Sequence, residues 1–351
     1  MNARALLLLM FPGAAAAQGY GGLGAGAEGF AEVTRPAAIA FPRDHAPHPD
    51  FRLEWWYLTA ALTGEDGRDY GAQWTLFRSA LAPGPQREGW ESQQMWMGHA
   101  GLTAEDAHFH AEIFARGGIG QAGVTLDPFM AWIDDWQMTS RAGGADPLGA
   151  LEVSAAGEGF SYVLEVAAEG PIVLHGEAGF SLKAAAGQAS YYYSQPFYAA
   201  EGTIVIGGDE IAVTGTAWLD REWSSQWLSE DQAGWDWFSL HLEDGARLMT
   251  FRLRDAEGRN DAFGTWIEPG GTAQALGPGE IAMQPRAWAE VEGREVPVEW
   301  HLAVPGIGLA VDTEAVNTQS WMGGAYPYWE GPIRVTGTHA GRGFLEMTGY
   351  E

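Results

Sequence analysis

The sequence contains no cysteine, which excludes disulfide bonds, thiolate metal sites and cysteine nucleophiles. It also lacks the G-x-S-x-G signature of serine hydrolases, a P-loop, and a G-x-G-x-x-G preceding a helix. A chain of 351 residues without disulfides must rely on a large apolar core, and 46% hydrophobic residues can supply one. We therefore predict no cofactor and no covalent serine or cysteine chemistry.

Basic residues are scarce. The chain has 19 Lys and Arg against 46 Asp and Glu, giving a formal net charge of −27. Such a charge repels nucleic acid and anionic membrane surfaces. The acids are spread along the chain rather than gathered in a tail, which favours a soluble acidic surface over a site for one cationic partner.

No apolar run reaches the ~20 residues that a membrane-spanning helix needs. The longest run follows Arg4, covers Ala5–Ala17 and ends in an A-x-A motif before Gln18. This pattern predicts a secretory signal peptide over residues 1–17, with an uncleaved interfacial anchor as the alternative. We expect a periplasmic or secreted protein without stable membrane insertion.

The rest of the chain consists of short aromatic and β-branched runs separated by Gly, Asp and Pro every 8–15 residues. This is the pattern of antiparallel β meanders, and no segment of ten residues shows convincing helical periodicity. We predict an all-β protein of two closed or nearly closed antiparallel barrels. A flexible Gly/Pro-rich leader over residues 18–49 would precede an N-terminal domain over 50–190 and a C-terminal domain over 191–351.

Tryptophan is abundant, and five of the 17 lie between Gly215 and Leu242. Read as a strand, AWLDREW places Trp218, Asp220 and Glu222 on one face. Leu219, Arg221 and Trp223 fall on the other face. Two carboxylates among tryptophans need a reason, because burying an unpaired charge costs several kcal/mol.

Asp220 and Glu222 would lie about 6.6 Å apart along the strand, a separation near that of inverting glycosidases. Both rise from one strand, however, so they cannot easily flank a sugar from opposite sides. A better use is a carboxylic acid whose pKa is raised by an apolar environment and a like-charged neighbour. The structural alternative is that Asp220 pairs with an arginine in a domain interface.

Two further groups of residues have more than one interpretation. In EWWY, Glu54 and Trp56 share one strand face, where they either line a pocket or form a barrel's aromatic layer.

His108 and His110 share a face and, with His99, offer three possible zinc ligands. No acid with clear ligand spacing supports a metal there, so we predict none.

Several long segments resemble the carotenoid 1,2-hydratase-like/AttH family from about residue 40 to the C-terminus. They are HPDFRLEWWYLTAAL, YYYSQP…EGTI, GTAWLDREWSSQWL…GWDWFSL and YWEGPIRVTGTHAGRGFLEMTGY. The resemblance implies two lipocalin-like domains and a cavity for an apolar carotenoid-, terpenoid- or lipid-like ligand. The net charge of −27 separately predicts no nucleic-acid partner.

The resemblance also implies catalytic roles. Asp220 would protonate a terminal double bond, with Glu222 as the second acid, while the π faces of Trp218, Trp56 and Trp237 stabilise the cation. Tyr57 or Gln73 would position the attacking water. The predicted substrate-binding set is Glu54, Trp56, Tyr57, Gln73, Trp218, Trp223, Trp235 and Trp237.

One position departs from this pattern, since Arg221 stands where many relatives carry histidine. This difference is evidence against acid-catalysed hydration. The alternative function is that of a non-catalytic periplasmic carrier associated with an ABC transporter. An esterase-type hydrolase is the weakest interpretation, because no serine, cysteine or metal site supports it.

Overall fold

The computed structural model of the protein describes residues 26–142, 146–184, 187–226, 232–255 and 260–350. The predicted signal peptide and the first part of the predicted leader lie outside these ranges. Apart from strands, the described residues form three single-turn 3-10 helices, Arg43–His45, Gly89–Glu91 and Pro305–Ile307. Within those residues, no helix has the length and apolar character needed to cross a membrane.

The first sheet contains thirteen antiparallel strands in the order β4-β3-β2-β1-β13-β12-β9-β8-β7-β6-β5, with β10 and β11 paired to β12. In chain order they are β1 Leu53–Gly64, β2 Asp69–Ala80, β3 Gln94–Ala104, β4 Ala107–Arg116, β5 Ala122–Leu126, β6 Phe129–Ile133, β7 Trp136–Ser140, β8 Ala150–Gly157, β9 Phe160–Ala168, β10 Val173–Leu174, β11 Phe180–Leu182, β12 Ala189–Ile206 and β13 Asp209–Ser224.

The second sheet contains ten strands in the order β17-β16-β15-β14-β23-β22-β20-β19-β18, with β21 paired to β22. They are β14 Gln232–Leu242, β15 Arg247–Asp255, β16 Ala262–Ile267, β17 Ala273–Leu276, β18 Ala282–Val291, β19 Arg294–Val304, β20 Leu309–Ala315, β21 Trp321–Met322, β22 Tyr328–Gly337 and β23 Gly341–Thr348.

Each sheet curls into a nearly closed barrel around its own apolar core, which confirms the predicted all-β, two-barrel class. Strands β12 and β13 hydrogen-bond within the first sheet, so the change of sheet falls between Ser224 and Gln232. The predicted domain boundary between residues 190 and 191 concerns units of folding, which strand pairing alone does not define. It therefore stays a prediction.

Burial patterns show where the two barrels meet. Strand β9 alternates buried and exposed residues, as a strand with one solvated face must. Strands β1 and β14, the second half of β13 (residues 217–224) and most of β23 are instead buried on both faces. One face of each covers a barrel core, and the other face packs against the opposite barrel in a third apolar cluster.

Gly71 lies at a close contact between the two sheets. A Cβ atom added to Gly71 would lie 2.6 Å from Pro332 Cγ and 2.9 Å from Phe344 Cζ, both on the second sheet. Only a residue without a side chain lets β2 approach β22 and β23 this closely. The position therefore sets the spacing of the interface.

We expect Gly71→Ala to lower the free energy of unfolding by about 1–3 kcal/mol, because overpacking forces neighbouring side chains or the sheets to shift. Urea unfolding followed by tryptophan fluorescence measures this. Gly270→Ala is the matched control, since an added Cβ there meets no atom within 4 Å. Equal stability of the two variants would show that the interface adapts without cost.

Candidate functional site

The pairing of β1 with β13 decides which side chains face the second barrel. The two strands run antiparallel from Leu53 opposite Ser224 to Gly64 opposite Val213. Directly opposed residues share a face, so Tyr57 lies beside Asp220 and Trp55 beside Glu222. These four side chains point out of the first barrel and toward the second sheet.

A cavity of about 400 Å³ lies between the two sheets at this point. Its apolar walls come from both barrels, chiefly Trp55, Tyr57, Phe77, Trp235, Trp237 and Phe251. Its titratable lining residues include Lys183, Asp220, Glu222, His99 and Glu346. Aromatic walls with a few convergent polar groups are the usual composition of a small-molecule site.

Asp220 is held as a hydrogen-bond acceptor. Its Oδ1 accepts bonds from Ser194 Oγ and, at 2.5 Å, from Trp218 Nε1, while its Oδ2 accepts a bond from the Tyr192 hydroxyl at 2.5 Å. Burial raises the pKa of Asp220 to about 6, and the three donors oppose that rise by stabilising the ionised form. Asp220 is thus placed to act as a buried anion.

Glu222 pairs with a buried cation that the sequence analysis missed. Lys183 Nζ lies 2.5 Å from Glu222 Oε1, which also accepts a bond from Ser190 Oγ. Burial raises the pKa of Glu222 to about 7 and lowers the pKa of Lys183, and each partner opposes the change in the other. Lys183 also lies 4.3 Å from the centre of the Phe251 ring, at the cavity wall.

A second pair of carboxyl groups comes from the other sheet. Glu330 and Glu346 are directly opposed on β22 and β23. Burial raises the pKa of Glu346 to about 7, reinforced by the charges of Asp220 and Glu222, although Trp235 Nε1 donates to its Oε1 at 2.5 Å. Burial and the charge of Glu346 raise the pKa of Glu330 well above its ordinary value. Tyr57 joins the sheets by donating its hydroxyl proton to Glu330.

The inner face of the same strand pair holds a separate ionic cluster. Glu54 accepts bonds from Arg78 and Arg221, and from the His48 backbone at 2.9 Å. Burial alone would raise the pKa of Glu54, but these two arginines and His48 hold it below its ordinary range. Arg221 also stacks 3.7 Å over the ring of Trp56. Arg221 therefore acts on the first barrel's interior and faces away from Asp220.

The structure brings six of the ten predicted site residues to the cavity wall. Asp220, Glu222, Tyr57, Trp235 and Trp237 line it. Glu54 also belongs to the lining, although its carboxylate is bound by the arginines of the inner face.

Four predicted binding residues lie outside the lining. Trp56 donates Nε1 to His45 O at 3.0 Å, and Trp223 stacks on His48 with ring centres 3.9 Å apart. Trp218 is buried behind Asp220 and donates to it. Gln73 donates to Thr75 within the interface, and its Oε1 has no hydrogen-bond partner among the described residues.

Sequence reasoning missed Lys183, Tyr192, Glu330 and Glu346. Two of them carried a usable signal, because Glu330 in YWEGP and Glu346 in GFLEMT are single carboxylates within apolar strand segments. Asp220 and Glu222 were selected on a related criterion, as two carboxylates among tryptophans on one strand face. Lys183 precedes three alanines in the sequence, and nothing in its sequence neighbourhood marks it as buried.

The three histidines considered for zinc bind other groups. His99 contacts the Tyr328 hydroxyl and Glu112, at 2.8 and 3.0 Å. His108 contacts Thr103 Oγ1 at 2.9 Å, and His110 contacts Gly323 O at 2.6 Å. Each imidazole thus has a protein partner in this arrangement.

Comparison with known proteins gives one family and several structures. The AttH-like family model matches residues 32–350. A provisionally named AttH from Nitrosomonas europaea is 32% identical, with a TM-score of 0.80 over 92% of this chain and 99% of that one. No curated protein sequence matches the chain.

Two further solved structures share the fold at lower identity. Kievitone hydratase from Nectria haematococca is 16% identical, with a TM-score of 0.69 over 92% of this chain and 96% of that one. CghA, solved with Sch210972, is 12% identical, with a TM-score of 0.56 over 93% and 97%.

We expect Glu346→Gln to change stability in a pH-dependent way. The folded pKa, about 7, lies above the ordinary value of 4.5, so folding binds a proton between these pH values. The contribution of Glu346 to stability is thus fully present below pH 4.5 and is lost between pH 4.5 and pH 7, at up to ~1.4 kcal/mol per pH unit. Relative to the wild type, Glu346→Gln should gain about 3 kcal/mol between pH 5 and pH 8.

Urea unfolding at both pH values measures this gain, with Glu299→Gln, an exposed position on β19, as the control. A difference between Glu346→Gln and wild type that does not change with pH would mean that the Glu346 pKa is not raised in the folded protein.

We expect Arg221→Met to lower the free energy of unfolding by about 3 kcal/mol, because it removes one of two buried cations from Glu54. It should leave the pKa of Asp220 unchanged, since Arg221 lies on the opposite strand face. Urea unfolding and carboxyl NMR titration report the two quantities. Arg141→Met, which removes an exposed pair with Glu152, should cost no more than about 1 kcal/mol. A changed Asp220 pKa in Arg221→Met would contradict the separation of the two faces.

Proposed function

This chain belongs to the AttH-like family, and from its cavity we propose that it binds an apolar polyene- or terpenoid-like molecule and adds water to a carbon–carbon double bond. The observation that carries this proposal is the pairing of differently held carboxyl groups across one aromatic cavity. Asp220 on the first sheet accepts three hydrogen bonds, whereas Glu346 on the second accepts one from Trp235 and is opposed by the charges of Asp220 and Glu222.

The cavity suits the proposed substrate class. A volume of about 400 Å³ falls in the lower part of the range for small-molecule sites, ~300–1,000 Å³. It would enclose a small terpenoid or one end of a longer polyene. Exposed apolar side chains, among them Leu81, Met95 and Phe114, line its mouth and offer an entry path for an apolar molecule.

Glu346 is the better proton donor of the two. Protonating an alkene needs a carboxyl group that still holds its proton near neutral pH, and the raised pKa of Glu346 meets this need. Asp220 is the less suitable acid, because Ser194, Tyr192 and Trp218 all donate to it. The proposed acid therefore differs from the one that the resemblance implied.

Asp220 and the aromatic walls would stabilise the positive charge that forms on carbon. Trp235, Trp237 and Tyr57 present π systems to the cavity, and the ionised Asp220 adds a fixed negative charge. Glu346 gives its proton to one alkene carbon, and water bonds to the other. The water then loses a proton to Asp220 or Glu222, so the sum of the steps is alkene plus water giving alcohol.

One protein with a similar fold supports hydration as the reaction, because the neighbour from Nectria haematococca is named as a hydratase. The signal-peptide pattern over residues 1–17 supports a periplasmic or secreted location for this activity. The competing proposal, a carrier that delivers an unchanged lipid-like molecule to an ABC transporter, requires the cavity but gives the buried acids no task.

The test is incubation with acyclic carotenoids and terpenoid alkenes in ¹⁸O-water, followed by mass spectrometry. We expect an alcohol that carries one ¹⁸O, and a kcat lowered by roughly 10²–10⁴-fold in Glu346→Gln, the range for loss of a positioned proton donor. Asp220→Asn should also lower kcat, while Glu299→Gln serves as the unaffected control.

The rate should follow a bell-shaped pH profile. It falls above pH 7 as Glu346 loses its proton, and falls below pH 6 as Asp220 gains one. Full activity in Glu346→Gln would remove Glu346 from the mechanism. Alkene recovered unchanged from the wild type, together with an intact lipid co-purified from the native host, would favour the carrier instead.

A further inference from the structure

A buried histidine behind the cavity wall is joined to Asp220 by hydrogen bonds, and the proposed reaction gives it no task. We propose that His175 is a positioning residue, which Thr265 of the second sheet holds in one tautomer and which directs the Ser194 hydroxyl onto Asp220. The packing of the two barrels thereby sets the proton affinity of Asp220. This coupling exists without substrate, whereas its effect on catalysis rests on the proposed function.

Four side chains are joined end to end by direct hydrogen bonds. Nδ1 of His175 lies 2.8 Å from Thr265 Oγ1, and Nε2 of the same ring lies 2.5 Å from Ser194 Oγ. Ser194 Oγ donates in turn to Oδ1 of Asp220. Each junction is made between side-chain atoms of the protein, so the series needs no bridging group.

The series crosses from the second barrel to the first. Thr265 lies on β16, directly opposite Met249, which belongs to the apolar cluster between the barrels. His175 immediately follows β10 of the first sheet. Ser194 and Asp220 are directly opposed on β12 and β13. The second sheet is therefore connected to Asp220 through two side chains that come from the first barrel.

The hydrogen-bond pattern fixes the direction of the series. A serine hydroxyl has one proton, and Ser194 donates it to Asp220, so the Ser194 oxygen must accept a bond from Nε2–H of His175. In a neutral imidazole Nδ1 then carries no proton and accepts a bond from the Thr265 hydroxyl. All three bonds point toward Asp220. Bonds aligned in this way polarise one another, which strengthens the last one.

Burial protects the series from competing water. His175 and Ser194 are 0% exposed, and Thr265 is 1% exposed. The Tyr192 ring packs against the imidazole, with ring centres 4.2 Å apart, and restricts its rotation. Burial and the charge of Lys183 lower the pKa of His175 to about 3, which agrees with the neutral imidazole that the pattern requires. His175 thus acts as an oriented dipole and not as a charge.

Other titratable side chains also face Asp220. They are Tyr57, Lys183, Tyr192, Glu222 and Glu346. Lys183 and Tyr192 face His175 as well. A substitution of Thr265 or Ser194 changes none of them, so a shift of the Asp220 pKa in such a variant reports on the series.

A purely structural role is the alternative, in which His175 and Thr265 only help to hold the barrels together. Removing the Thr265 hydroxyl would then lower stability without changing the pKa of Asp220. If the series stabilises the ionised carboxylate, the same substitution raises that pKa, because the unprotonated form loses stabilisation. The pKa of Asp220 therefore distinguishes the two roles.

Carboxyl ¹³C NMR titration of the intact protein measures this pKa, with the Asp220 signal assigned by its absence in Asp220→Asn. We expect Ser194→Ala to raise the pKa by roughly 1–2 pH units, since the bond that it removes is made to a charged group. Thr265→Val should raise it by roughly 0.5–1 pH unit, because a neutral bond is lost that acts through two others. Thr250→Val is the matched control and should leave the pKa unchanged, since this buried threonine on β15 donates to the Phe263 carbonyl oxygen.

Two variants of His175 test its donor directly. His175→Gln can place an amide N–H near the position of Nε2 and should keep the pKa of Asp220 within about half a pH unit of the wild type, whereas His175→Leu should raise it as Ser194→Ala does. In ¹⁵N NMR of the wild type at pH 8, the imidazole signals that disappear in His175→Gln should show a proton on Nε2 and none on Nδ1. Thermal unfolding of each variant checks that the fold is retained.

An unchanged Asp220 pKa in folded Thr265→Val would overturn the coupling. Valine is close in shape to threonine, so this variant should fold even where the His175 variants do not. An equal shift in Thr250→Val, or a proton on Nδ1 of His175 at pH 8, would also overturn the coupling. None of these measurements needs a substrate. A raised pKa without a hydration product would retain the coupling and reject the proposed reaction, whereas a hydration product with an unchanged pKa would do the opposite.

Discussion

The register between β1 and β13 is the constraint on which the rest of the molecule depends. It places Tyr57 and Trp55 beside Asp220 and Glu222 on the interface side, and Trp56 beside Arg221 on the inner side. Side chains alternate with period 2, so a slip of one residue would turn the cavity acids into the barrel core and the arginine into the cavity. The apolar cores of both barrels oppose such a slip, and they thereby fix the chemistry of the cavity.

The same alternation separates two ways of burying charge. On the inner face, Glu54 is matched by Arg78 and Arg221, and it remains ionised. On the interface face, Asp220, Glu222, Glu330 and Glu346 have Lys183 as the one lysine or arginine in ion-pair contact with them among the described residues. Burial, reinforced by the neighbouring carboxylates, raises the pKa of Glu346 to about 7 and the pKa of Glu330 well above its ordinary value. The inner cluster is thus paired with cations, whereas the outer cluster contains carboxyl groups of raised proton affinity.

The all-β, two-barrel fold could be predicted from the sequence, because two-residue periodicity interrupted by turn residues is typical of antiparallel barrels. The faces of single strands were available too, including the shared face of Asp220 and Glu222. What could not be derived was the pairing of strands about 160 residues apart, which decides whether Trp56 or Tyr57 accompanies Asp220. The sequence shows Glu346 among apolar residues, but not that strand β23 is covered on both faces, by the core of its own barrel and by the interface.

The carboxyl groups buried in the interface lower the stability of the folded protein, and this cost is relevant to the function of the cavity. A carboxyl group whose pKa is raised in the folded protein destabilises the folded state at neutral pH, by up to ~1.4 kcal/mol for a pKa one pH unit higher. Burial raises the pKa of three cavity acids, Asp220, Glu222 and Glu346. An apolar ligand held only by burial would be accommodated better by uncharged walls. Groups that lower stability in this way cluster at sites of chemistry, where proton affinity is adjusted to a reaction. The energetics therefore favour proton transfer in this cavity over simple carriage.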